Sequence, residues 1–206
     1  MPGHSKDIFK FERVKSMMQE LVLKNRSYRR FYQERPVDTE TLRALIDLAR
    51  LSPTGHNRQA LRYYLSNQPE VNAEIYSCLG WAGYYKDWDG PEKGERPAAY
   101  IVMIKDTTAG VGLVQDQGFA GQSILLGATE MGLGGCFLVN VKRPQLAEKL
   151  KLDGKYEIAA VIALGYPKEK VALEPLELGG DVKYWRDADQ VHHVPKLALE
   201  DVIVNK

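Results

Sequence analysis

At 206 residues, with 44% hydrophobic and 27% charged positions, the chain can build one sizeable core and does not require two. Its 28 Lys+Arg against 27 Asp+Glu leave a formal net charge of +1, which excludes the global field of a nucleic-acid or anionic-membrane binder. Cys78 and Cys136 form no CxxC, which argues against a zinc site or a disulfide framework and suits a reducing cytoplasm.

No stretch approaches the ~18 apolar residues of a membrane helix, and residues 1–10 lack a signal-peptide layout. The expectation is a soluble cytoplasmic protein with one domain over 1–206 and its core over 11–204.

Along 12–24 the apolar residues Val14, Met17, Met18, Leu21 and Val22 recur at helical spacing, which predicts an amphipathic helix. Arg26-Ser27-Tyr28-Arg29-Arg30 follows. Three guanidinium groups and a hydroxyl in five residues form either a solvated basic run or an anion seat, since guanidinium forks match phosphate oxygens. A second helix is predicted over 39–51, with Asp38 as N-cap and an apolar face of Leu42, Leu45, Ile46, Leu48 and Ala49. It stops at Ser52-Pro53-Thr54-Gly55.

Residues 61–66 read as a strand and 70–79 as a helix opened by Pro69. Residues 80–97 hold four glycines, two prolines, two tryptophans and two tyrosines, and predict a long loop. It is either a lid over a site or a packed surface loop. An apolar strand over 98–105 and the longest helix over 114–131, with Phe119, Ile124, Leu125 and Ala128 on its apolar face, are expected at the centre of the core. Buried strands follow at 133–139 and 158–164, with a short helix opened by Pro144 between them. The tail carries Tyr184-Trp185-Arg186, then His192-His193-Val194-Pro195-Lys196, then an apolar run over 197–204.

Several chemistries lack their motifs. No GxxxxGK[ST] occurs, and no GxGxxG follows a predicted strand. His192 and His193 point to opposite faces of any strand, and no HExxH accompanies them, so no metal site is expected. There is no GxSxG and no cysteine beside a histidine, so nucleophilic hydrolysis has no support.

The decisive addition is Ser52-Pro53-Thr54-Gly55-His56-Asn57-Arg58-Gln59. One helix joins this polar loop to the basic cluster, and Asn57 and Gln59 offer the paired donors and acceptors that read a heterocycle edge. Together the two segments resemble the FMN-dependent nitroreductase family, whose members carry Arg-Arg-Ser-x-Arg followed by Ser-Pro-x-x-x-Asn-x-Gln. Residues 118–128 resemble that family's central helix. Met131-Gly132-Leu133-Gly134-Gly135-Cys136 is similar to the Gly-rich entry to its next strand, and 159–167, ending Ala-Leu-Gly-Tyr-Pro, to the strand that follows.

The resemblance implies an α+β nitroreductase-like fold, a central mostly antiparallel sheet flanked by helices, in a homodimer with flavin at the interface. It assigns the FMN phosphate to Arg26, Ser27 and Arg29, closed by Lys196 and His193. Strand parity turns Arg30 away from Arg29, where it either anchors the loop or faces solvent. Asn25 stands where the family commonly has Arg. Asn57 and Gln59 match positions that meet the flavin ring, and Val139 and Asn140 match the segment that approaches flavin N5.

No conventional catalytic acid is expected beyond flavin N5 itself. NADH or NADPH donates hydride in a ping-pong cycle, and a small planar acceptor such as a nitroarene or quinone is reduced. Trp81, Tyr84, Tyr85 and Trp88 are the candidate acceptor pocket, and 197–206 the candidate dimer arm. Enone reduction, dehalogenation and non-catalytic flavin binding stay open as alternatives.

Overall fold

The structure, a computed structural model, describes residues 16–110, 112 and 114–205. The predicted helix start over 12–15, with Val14, lies outside them. Ser16 caps helix α1 (Met17–Lys24): its hydroxyl accepts from Gln19 N–H, and the Gln19 side chain returns to the cap N–H. This reciprocal pairing satisfies two free donors of the first turn. Asp38 caps α2 (Thr39–Arg50) as expected, accepting from Thr41 N–H at 2.6 Å.

Strand β1 (Leu61–Ser66) leads to α3 (Pro69–Tyr76), which ends three residues earlier than the pattern suggests. Strand β2 (Ala99–Asp106) precedes the long helix α4 (Val114–Glu130). Then come β3 (Gly134–Leu138), α5 (Arg143–Lys149) and β4 (Tyr156–Gly165). These four strands form an antiparallel sheet in the order β1-β2-β4-β3.

Side-chain alternation along a strand sends successive residues to opposite faces, and both faces of this sheet are covered. Ile101, Met103, Ala160 and Ile162 pack with Leu42 and Leu45 of α2 and Ile124 and Ala128 of α4. Tyr100, Val102, Val161 and Ala163 pack with Ile75 of α3 and Leu146 of α5. A bulge opposite Met103 and Ile104 inserts Ala159 into β4, so Ile158 joins the second face. Arg143 compensates, donating to the carbonyls of Ile158 at 3.0 Å and Ala159 at 3.1 Å.

The expected apolar face of α4 is real at Ile124 and Ala128, but Phe119 is 51% exposed. It lies off the buried face of the helix, which runs through Asp116, Ala120, Ile124 and Ala128. The absence of side chains lets α4 approach closely: a Cβ on Gly127 would meet Leu48 at 2.3 Å, and one on Gly121 would meet Phe137 at 2.5 Å.

A second sheet of β5 (Val171–Leu176), β6 (Trp185–Arg186) and β7 (His192–Leu197), in the order β5-β7-β6, lies after the core. The sequence pattern does not predict it, because Pro175 and Pro195 fall inside its strands. Both are tolerated where they sit. Strand β5 is an edge, and β6 pairs β7 only at His192 and His193, leaving Pro195 beyond the two-sided part. The chain closes with a single turn, α6 (Leu199–Val202).

Candidate functional site

The segment after α1 runs beside β3, where Ser27 bridges Gly135 and Tyr28 N–H donates to the Gly135 carbonyl at 3.0 Å. Gly134 and Gly135 make this approach available. A Cβ on Gly134 would meet the Tyr28 ring at 2.5 Å, and one on Gly135 would meet the Ala163 carbonyl oxygen at 2.8 Å. In this extended run Arg29 turns inward and Arg30 outward.

Arg30 donates to Glu95, which also pairs with Lys168 at 2.9 Å. Arginine and lysine together hold the Glu95 carboxyl down to about 2. Arg30 is therefore a loop anchor, turned away from Arg29 as strand parity predicts.

Arg26, Ser27, Arg29 and Lys196 line one cavity of about 380 Å³, together with Asn25 and His192. Strand β7 delivers His192 and Lys196 from the far end of the chain. Arg29 is buried; its Nη1 donates to the Ser27 carbonyl at 3.1 Å, and Tyr184 stacks against its guanidinium at 5.0 Å. Arg26 donates to the Val22 carbonyl at 2.7 Å, and burial lowers its pKa.

The Nε atoms of both Arg26 and Arg29 are buried with no partner among the described residues. Three cationic side chains and no carboxylate line this cavity. Such a wall has open donors and uncompensated charge, and a phosphate supplies the missing acceptors.

His193 does not reach this cavity. Its ring nitrogens meet Glu174 at 2.6 Å and Asp187 at 2.9 Å, and Trp185 stacks on it. Both carboxylates raise its pKa, Asp187 most. His192 points the opposite way and takes the position in the cavity wall. Its Nε2 faces Arg29 Nη1 at 3.2 Å and its Nδ1 meets the Tyr85 hydroxyl at 2.5 Å. Burial, aided by Arg29 and Arg186, pushes its pKa down to about 4, so the imidazole is neutral near pH 7. Sequence reasoning recognised the alternation of the two histidines but not which of them faces inward.

Loop 80–97 has no helix or extended strand, as expected, and its rings divide. Trp81 is buried at 7% exposure and packs on Tyr76 in the core, which removes it from the acceptor pocket. Tyr84 is exposed and rests on Tyr184 at 4.9 Å. Trp88 meets Tyr85 edge-on at 6.0 Å and carries Arg186 over its face at 5.0 Å. Arg186 in turn donates to Glu169 at 2.9 Å, whose other oxygen accepts from Arg29 N–H and Arg30 N–H. The loop is thus tied to the wall of the cavity through Tyr85, Tyr184 and His192.

The loop at 52–59 does not line this cavity. Asn57 and Gln59 are exposed, with φ of 52° and 50°, and His56 has φ of 54°. Left-handed backbone is costly for side-chain-bearing residues and persists where surroundings impose it. Here Gly55 N–H donates to the buried Asp116 at 2.9 Å, and the Ser52 hydroxyl meets Ser123 at 2.8 Å. Val139 and Asn140, just past β3, are also exposed and outside the cavity; Asn140 packs over Gly80 and Val139 accepts from Arg143. One chain therefore gathers the basic residues and leaves residues 57–59 and 139–140, the two segments that the resemblance matches to the flavin ring, on its surface.

Comparison with known proteins follows the same lines. A sequence profile described as Nitroreductase family matches residues 22–166. No curated protein matches the chain in sequence. Among solved structures, a nitroreductase family protein from Streptococcus pneumoniae TIGR4 superposes with a TM-score of 0.68 at 18% identity, covering 92% of this chain and 100% of that one.

A putative nitroreductase in complex with FMN from Desulfovibrio desulfuricans gives 0.65 at 19% identity, covering 94% and 98%. An FMN-dependent nitroreductase from Clostridium difficile R20291 gives 0.63 at 22% identity, covering 90% and 98%. At these identities the likeness establishes the fold.

Proposed function

This chain belongs to the nitroreductase family, and we propose that it is an FMN-dependent oxidoreductase that takes reducing equivalents from NADH or NADPH and reduces nitroaromatic, quinone or similar planar acceptors. The observation that carries this reading is the convergence of Arg26, Ser27, Arg29 and Lys196 on one cavity, with two buried guanidinium Nε atoms lacking acceptors. Those residues fit the phosphate of FMN in charge and donor type. Bound there, FMN supplies two-electron chemistry that accepts hydride from the nicotinamide and passes it on in a second half-reaction.

The protein's own part is binding and positioning. Arg26 and Arg29 hold the phosphate end, and neutral His192 steers the Arg29 guanidinium by accepting from it. Tyr184 and Tyr85 close the wall beside Arg29. Tyr84 and Trp88, on loop 80–97, form the aromatic border toward the acceptor and make this loop the cover of the site. Lys196 neutralises the phosphate from the β7 side.

Asn57, Gln59, Val139 and Asn140 serve the same site across a homodimer. Their exposure supports that reading. So do the exposed Met17, Met18 and Val22 of α1 and Leu199, Val202 and Val204 at the C-terminus, an apolar surface that an isolated chain leaves in water. No helix among the described residues is long and apolar enough to cross a membrane. The buried free thiols of Cys78 and Cys136 fit the cytoplasm.

Titration of FMN into the apoprotein, followed by its fluorescence, tests the binding half of this proposal. Saturable quenching at a stoichiometry of about one per chain is expected; unchanged fluorescence overturns it.

A further inference from the structure

The turn at residues 33–36, the end of loop 80–97, α3 and the start of β2 enclose a second cavity of about 240 Å³, which shares no lining residue with the first. Tyr100 lies in its wall. The side chain is 1% exposed, and its hydroxyl has no partner among the described residues. Burial pushes its pKa well above the usual tyrosine value, so it stays a proton donor.

Arg96 stands in the same wall with its guanidinium 4.0 Å from the centre of the Tyr76 ring. Its Nε is buried and unpartnered, and no carboxylate pairs with it among the described residues. Gln33 fixes the backbone beneath it: its side-chain oxygen accepts from Gly94 N–H at 2.7 Å and Arg96 N–H at 3.3 Å.

The other amides of the wall are engaged elsewhere: Asn72 accepts from Ser66 at 2.7 Å and donates to the Ala98 carbonyl at 2.8 Å, and Asn67 donates to the Val37 carbonyl at 3.0 Å and accepts from Gln68 at 3.1 Å. Glu34, the acidic residue of the wall, is exposed and pairs with neither donor. Arg96 Nε and the Tyr100 hydroxyl are thus both buried without an acceptor, while the rest of the Arg96 guanidinium meets Tyr76. Native interiors rarely leave such groups unmet. Pro36, Pro69, Pro97 and the Tyr76 ring supply apolar surface around them. A cavity of roughly 150 Å³ already admits a benzene ring.

We propose that this second cavity binds a small organic carboxylate, whose oxygens accept from Arg96 Nε and the Tyr100 hydroxyl while its apolar body lies among the prolines and the Tyr76 ring. The site is independent of the flavin reading, because no residue is common to both cavities.

The probe is 4-bromobenzoate, soaked into crystals of the purified full chain and titrated calorimetrically against the wild type, Tyr100→Phe and Arg96→Lys. Tyr100→Phe removes one oxygen and keeps the packing of the ring. The expected result is an anomalous bromine peak between Arg96 and Pro69. Affinity is expected to weaken about tenfold or more in each variant, as when a hydrogen bond to a charged group is lost. The flavin absorption of the holoprotein is expected to stay unchanged during the titration. Ordered water alone in the cavity, bromine only in the flavin cavity, or equal affinity in the wild type and both variants would overturn the proposal.

Discussion

His192 Nε2 lies 3.2 Å from Arg29 Nη1, and the same imidazole meets the Tyr85 hydroxyl through Nδ1. A guanidinium can only donate, so Nε2 accepts and Nδ1 carries the proton, which fixes the tautomer of a neutral ring. A protonated His192 would face Arg29 with like charge and no acceptor.

That relationship makes stability depend on pH. The folded pKa of His192, about 4, lies below its ordinary value of 6.5. Between those values the unfolded chain binds a proton that the folded chain does not, so stability rises with pH from about 4 to 6.5 and falls as acid is added. The full window corresponds to about 3 kcal/mol at most. His193, whose pKa is raised, contributes in the opposite sense: its stabilisation is present below 6.5 and is lost as pH rises through its folded value. Urea unfolding across this range is expected to show the positive slope in the wild type and a flatter one in His192→Gln.

The phosphate grip is tested by removing its cations. Arg26→Ala and Lys196→Ala are each expected to weaken FMN binding by about tenfold to a hundredfold, the loss of one charge-assisted contact. The double variant Arg26→Ala with Arg29→Ala is expected to purify without flavin. Full flavin occupancy in that protein would remove these residues from the site.

Two tryptophans seven positions apart in the same loop are expected to behave differently. Trp81 is buried against Tyr76, so Trp81→Ala is expected to cost about 3 kcal/mol of stability with acceptor preference unchanged. Trp88 borders Tyr85 and Arg186, so Trp88→Ala is expected to raise the acceptor KM at nearly constant stability. Thermal melts and a small panel of quinones and nitroarenes separate the two.

Assembly is read by sedimentation. Met17, Met18 and Val22 are 75%, 58% and 43% exposed on α1, and the chain is expected to sediment as a dimer. Met18→Glu with Val22→Glu is expected to shift it toward monomer and to weaken FMN binding, because Asn57 and Gln59 would lose the partner's cavity. A monomeric wild type with full FMN affinity would contradict the shared site.

Much of this was legible in the chain itself. Asp38 as a cap, the strand at 61–66 and the alternation of Arg29 with Arg30 follow from local chemistry and strand parity, and each is present. The second sheet was hidden because Pro175 and Pro195 oppose a strand assignment, and only the partial pairing of β6 explains their tolerance.

Parity alone assigns His192 and His193 to opposite faces without naming the inner one. That is set by Arg29 and Tyr85, more than a hundred residues away in sequence. Trp81 reads like its neighbours as a ring of the acceptor pocket, but its burial depends on Tyr76 and on Gly90, where a Cβ would meet the indole at 2.5 Å. Such long-range contacts leave no periodic signature.

Flavin turnover is tested by an anaerobic titration of the FMN-loaded protein with NADH and with NADPH, followed in the flavin absorption band. Bleaching by at least one of the two is expected, with return of the band when a quinone or nitroarene is added. A flavin band that survives both nucleotides, or a protein that takes up no FMN, would contradict the proposed turnover.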